Sequence, residues 1–186
     1  HLKEGQQFYM DVMIIGAPGF HYGHSLLNSL TVIFSNFVTT YMKEIIFPYT
    51  IFVLTSFLAI VGYLIFFEKI FWRKVAVLVM MMNLFPFTST DYKLLYIFLP
   101  LFFLINHSKK DKHDTIFIIL FSLLLIPKNY FYFNNNPYAS FTIVANTTIM
   151  LAILFLIIFF GVRSSSRQAK NTFNNSKLLR KTMRSI

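Results

Sequence analysis

The chain has 186 residues, of which 56% are hydrophobic and 13% charged, with a mean hydropathy of +0.60. Soluble domains carry roughly a quarter of their residues as charges, so most of this surface has to face something apolar. The net charge of +10 does not mark a nucleic-acid binder: the cations cluster in short stretches between apolar runs instead of alternating with base-stacking aromatics on one face. With no cysteine, disulfides and thiolate metal sites are excluded.

Residues 1–45 open from His1 in a polar stretch without a signal-peptide pattern, which reads as the start of the C-terminal part of a longer protein. His21 and His24 flank a glycine-rich turn (Gly16, Gly19, Gly23) at a spacing that two metal-bound imidazoles use. The sequence offers Asp11 alone as a third ligand, so no metal site is expected. Ser25–Met42 separates Leu26, Leu27, Leu30, Ile33, Phe34 and Phe37 from Asn28, Ser29, Ser35 and Asn36. That pattern predicts an amphipathic helix lying in the membrane interface, or a helical insert over the mouth of a bundle.

Five apolar runs follow: Ile46–Phe67, Phe71–Phe87, Tyr92–Asn106, Thr115–Ile126 and Phe141–Val162. The first and last, at about 22 residues, suffice for a helix across a ~30 Å hydrocarbon core at ~1.5 Å per residue. The middle three are short and suit tilted helices with polar ends, or broken helices buried among neighbours. Pro48 is expected in the first turn of the helix it precedes. Thr90 or Asp91 is suited to capping the third run, with Lys93 snorkelling.

If all five runs cross, thirteen of the seventeen basic residues fall on one side, in the stretches around Lys69–Lys74 and Lys109–Lys112 and in the tail from Arg163. The opposite side keeps Lys3, Lys43, Lys93 and Lys128. Basic loops stay in the cytoplasm, so residues 1–45, the Thr88–Asp91 turn and the Pro127–Ser140 loop are expected outside. The predicted fold is therefore all-α: a polytopic transmembrane bundle over 46–162, preceded by an extracytoplasmic segment (1–45) with an interfacial helix. The basic tail over 163–186 reads as a disordered or peripheral segment drawn to anionic lipid.

No phosphate-cradling glycine loop, nucleophile elbow or zinc-protease motif occurs. Chemistry is expected on the outer face, where Asp91-Tyr92-Lys93 opens a short span and Pro127-Lys128-Asn129-Tyr130 ends another. Ionisable groups at a bundle mouth mark a path for a polar substrate, and an ammonium such as that of Lys128 suits a phosphate headgroup. Helix capping and snorkelling account for the same residues equally well.

The succession His24-Ser25-Leu26, a long and a short span closing on Pro86, Asp91-Tyr92-Lys93-Leu94-Leu95 running into Phe98-Leu99-Pro100-Leu101, and then Leu125-Ile126-Pro127-Lys128 resembles the C-terminal half of membrane glycosyltransferases of the GT-C type. Glycosyltransferase family 87 and its bacterial relatives of unknown function are the nearest pattern. The resemblance implies a bacterial inner-membrane enzyme, without cofactor, that moves a sugar from a polyprenyl-phosphate donor to a lipid-linked or glycan acceptor on the extracytoplasmic face. It further implies substrate-binding roles for His24 and Lys128 (with its neighbour Asn129) near the donor phosphate, and for Asp91 and Tyr92 along the cavity. The general base of such enzymes sits in a first outer loop that this sequence does not show. A transporter or flippase, or a non-catalytic membrane subunit of polysaccharide assembly, shares the same hydropathy.

Overall fold

The computed structural model describes residues 23–34, 42–87, 91–107, 113–126 and 141–183. Among these the fold is entirely helical, with no strand, as expected of a chain whose backbone must satisfy its own hydrogen bonds in an apolar surrounding. The helices are α1 (Leu26–Ile33), α2 (Met42–Phe66), α3 (Phe71–Leu84), α4 (Phe98–Ile105), α5 (Asp114–Leu125) and α6 (Phe141–Met183). A 3₁₀ helix, Asp91–Ile97, leads directly into α4. Pro100 in the first turn of α4 explains the tight winding ahead of it. Proline has no N–H to return to the carbonyl four residues back, and its ring crowds that carbonyl.

Two helices are long and apolar enough to cross a membrane: α2 over Glu44–Phe66 and α6 over Phe141–Ser166. The core helix of a soluble protein passes the same test of length and composition, but is mostly buried. Only 11% of the apolar stretch of α2 is buried, and 39% of that of α6. Phe47, Leu54, Leu58, Ile65 and Phe66 of α2 all face outward, as do Leu95, Phe102 and Phe155 elsewhere. Apolar exposure on this scale exceeds what water-facing monomers show. The three intermediate helical segments are shorter, so length and composition give two candidate spans among the described residues, against the five predicted.

α3 is the central element. It packs on α4, on α6 and on the 3₁₀ helix, while α5 closes against α6 and α4. The core runs through Trp72, Val77, Met80 and Leu84 of α3, Ile97, Leu104, Phe117 and Phe121, and Met150, Ile153 and Ile157 of α6. Aromatic edges fasten one end, where Trp72 meets Phe117 edge-on at 5.1 Å and His113 stacks on Phe160 at 4.2 Å.

Three expectations are corrected. α1 is eight residues long and buries a mixed arc, Leu27 in a small core with Tyr49 together with Asn28, Ser29 and Thr31, while Ile33 and Phe34 point out, so its apolar and polar residues do not separate as the pattern predicted. Polar groups turn inward when the surroundings are lipid, because only the bundle offers them partners. Pro48 lies inside α2 rather than in its first turn, since the helix begins at Met42. The tail is not irregular: α6 continues to Met183 in one helix of 43 residues, about 64 Å long. No glycine or proline interrupts it after Gly161, and Gln168, Ala169, Lys170, Leu178, Leu179, Arg180 and Lys181 all favour helix.

Candidate functional site

At one end of the bundle the turn before α1, the stretch after α3 and the first turns of α6 converge on a buried polar seam. Ser25 caps α1, its Oγ accepting from the Asn28 backbone N–H at 3.1 Å, and its hydroxyl donates to the Phe87 carbonyl at 3.1 Å. Serine is favoured here because it serves an orphan N–H of the first turn, and Ser25 uses the same oxygen to tie α1 to the end of α3. One turn along, the Ser29 hydroxyl is shared between the Ile143 carbonyl at 3.1 Å and Thr147 Oγ1 at 2.7 Å. Thr147 in turn donates to the His24 carbonyl at 3.0 Å. Tyr49 of α2 reaches the same end and donates to the Phe85 carbonyl at 3.2 Å.

The ties from Ser29 and Thr147 join segments 114–123 residues apart, so α1 belongs to the bundle through side chains and not through sequence neighbours. Ser29→Ala is expected to lower stability by about 1 kcal/mol, and Thr147→Val by somewhat more, because Thr147 both accepts and donates. A double-mutant cycle read by denaturant unfolding in mixed micelles checks this. The seam described here requires coupling of at least about 0.5 kcal/mol, and strict additivity contradicts it.

Of the residues singled out from the sequence, His24 lies in this seam, 1% exposed. Asp91 and Tyr92 begin the 3₁₀ helix, a few residues beyond Phe87, and their backbones alone are described. Lys128 and Asn129 lie outside the described residues, as do His21 and the Pro127–Ser140 loop. Among the polar residues within the long apolar runs, Thr147 joins two elements. Thr148 and the Asn83 side-chain amide instead bond back into their own helices, to the Val144 carbonyl at 2.7 Å and the Val79 carbonyl at 2.8 Å. No group of three or more metal-ligating side chains occurs among the described residues.

The opposite end holds a cluster that the sequence reading missed. Glu68, Arg73 and Asp114 are 4%, 3% and 5% exposed. The Tyr63 hydroxyl is shared between Glu68 Oε2 at 2.7 Å and the Ile157 carbonyl at 2.9 Å, while Glu68 Oε1 accepts from the Ile70 N–H at 2.9 Å. Arg73 lies over the rings of Trp72 and Phe117, at 5.4 and 5.9 Å. It was assigned to a basic loop, but it sits in the first turn of α3 and is buried there. A lone Glu among the cations of Glu68–Lys74 was the available signal, because an acid placed where orientation favours bases suggests an internal partner.

Taken together, the fold and the two polar ends define an all-helical bundle with two helices able to cross a membrane. In comparison with known proteins, the chain matches no family model, no curated protein and no solved structure.

Proposed function

We propose that the chain is part of an integral membrane glycosyltransferase that takes a sugar from a polyprenyl-phosphate donor and passes it to a lipid-linked or glycan acceptor on the extracytoplasmic face. The observation that carries this reading is the inward placement of His24. The residue that the GT-C resemblance assigns to the donor phosphate precedes the Ser25 cap of α1 and is tied through its carbonyl to Thr147 of α6, at the bundle end that the distribution of lysine and arginine puts outside. Asp91 and Tyr92 enter the chain at that same end, and Lys128 and Asn129 follow the short helix α5. These are binding roles; none of these residues is assigned the general base. The five-span topology, the bacterial inner membrane and the cytoplasmic side of the α6 extension belong to this proposal.

A transporter or flippase for lipid-linked intermediates is the second reading, and buried Glu68, Arg73 and Asp114 favour it, because ionisable groups inside a bundle mark ion and substrate paths. They lie at the ends of α2, α3 and α5 rather than midway along a helix, which keeps transfer as the first reading. Membranes containing the full-length enzyme of which the chain is proposed to be part, given radiolabelled polyprenyl-phosphate sugars, test it. Transfer is expected, falling by more than about tenfold in His24→Ala and Lys128→Ala, the loss of one charge-assisted contact of about 1.5–3 kcal/mol, and also falling in Asp91→Asn. Absence of transfer from every donor, together with movement of labelled lipid between leaflets, would establish the transporter instead.

A further inference from the structure

α6 runs past the end of its apolar stretch at Ser166 and continues as one helix to Met183. The extension from Arg167 adds about 26 Å, and no glycine or proline follows Gly161 to bend it. At about 100° per residue, positions Arg163, Arg167, Lys170, Lys177 and Lys181 fall in one sector of the helix about 80° wide. They occupy successive turns, and Asn174 fills the one gap in the row. The opposite side holds uncharged positions, among them Ser165, Gln168, Thr172 and Asn175. Phe173, Leu178, Leu179 and Met183 are scattered over about 220°. The extension therefore has no apolar face with which to lie down in a membrane interface. Cations three and four residues apart on a helix repel, and the sequence contains no Asp or Glu after Asp114, so α6 brings no counter-charge of its own.

An anionic membrane surface covers only the near end of this row. Lys181 stands about 22 Å along the helix from Ser166, and about 17 Å above it even at a 40° tilt. Attraction to lipid charge fades within about 8–10 Å. A nucleic-acid duplex fits no better, because a helix in its groove meets phosphates on both flanks, and this row is confined to one. The row runs nearly parallel to the helix axis, and a second helix has the same repeat. We propose that the extension of α6 is a docking surface for an acidic helix of a soluble protein partner, whose carboxylates at three- and four-residue spacing pair with these five cations. The inference stands apart from the transferase reading.

The test places the full chain in nanodiscs of phosphatidylcholine alone, which leave both membrane faces open, at about 20 mM salt. The probe is a fluorescent synthetic helix with glutamates at every third and fourth residue along one face. A peptide of the same composition with its glutamates spread around the helix is the control. The patterned peptide is expected to half-saturate below about 100 µM, and the control to bind at least about threefold more weakly. Replacing Arg167, Lys170, Lys177 and Lys181 together by glutamine is expected to weaken binding about tenfold or more, at about twofold for each exposed ion pair. A second variant keeps the net charge and moves two cations to the opposite face: Lys170→Gln and Lys177→Gln with Gln168→Lys and Asn175→Lys. It is expected to weaken binding about threefold or more. Equal binding of the two peptides, or undiminished binding by the charge-moved variant, means that net charge alone acts, and overturns the docking surface. Failure of the patterned peptide to bind overturns it equally. Tighter binding of a DNA duplex, or of phosphatidylglycerol vesicles, that is lost in the glutamine variant assigns the row to nucleic acid or lipid instead.

Discussion

Gly161→Ala is expected to destabilise the protein by about 1–3 kcal/mol, the range for forcing an extra methyl group into a well-packed interior. A Cβ at this position would run into the Tyr63 hydroxyl and stand 2.9 Å from both Glu68 Oε2 and Tyr63 Cζ. None of these can retreat cheaply, because Tyr63 is tied to Glu68 and to the Ile157 carbonyl while Glu68 also holds the Ile70 N–H. Intrinsic helix propensity pulls the other way, since alanine is favoured over glycine by about 1 kcal/mol in a helix interior. A net loss therefore isolates the close approach of α2 to α6. The contrast is Gly62→Ala, at a position where nothing lies within 4 Å of the added carbon. That variant is expected to be neutral or stabilised. Unfolding of both in mixed micelles decides the matter, and equal behaviour of the two would contradict the packing described.

Arg73→Ala is expected to cost about 2–4 kcal/mol, the sum of two desolvated cation–π contacts at up to about 2 kcal/mol each. Truncation also leaves Glu68 and Asp114 buried at that end with one cation fewer. Arg73→Lys separates charge from shape. An ammonium keeps the charge but not the flat guanidinium that lies over Trp72 and Phe117. The lysine variant is expected to recover less than half of the loss, measured by the same unfolding assay and by the fluorescence of Trp72, the only tryptophan in the chain. Full recovery by lysine would show that the rings contribute nothing beyond an apolar wall.

Much of the bundle was legible because lipid imposes a coarse constraint. Crossing hydrocarbon requires about 20 apolar residues in a row, and the runs that gave α2 and α6 meet it without any tertiary information. The order and approximate limits of α3, α4 and α5 follow from the same runs. Reading the direction in which a side chain points required knowledge of its partners. Asn28 and Ser29 stand out as a polar face in the sequence, but their burial beside Leu27 does not, because it depends on α6 meeting that arc. Arg73 counts only as one of the basic residues that set orientation, and Glu68 does not enter that count. Their burial depends on Tyr63, Trp72 and Phe117 arriving from three helices. His24 was legible as a residue of interest, whereas the amide of Asn28, unpaired among the described residues, was not, since a single chain of letters does not say which of several polar neighbours finds a partner.

The long-range ties of α1 set an order of events during synthesis. A chain emerging from its N-terminus presents Ser29 well before Ile143 and Thr147 exist, 114 and 118 residues later. At about 5–20 residues per second that interval is roughly 6–24 s. Throughout it the polar arc of α1 has no partner in α6. The contacts of Ser29 with α6 therefore form only after α2 and α3 have been made.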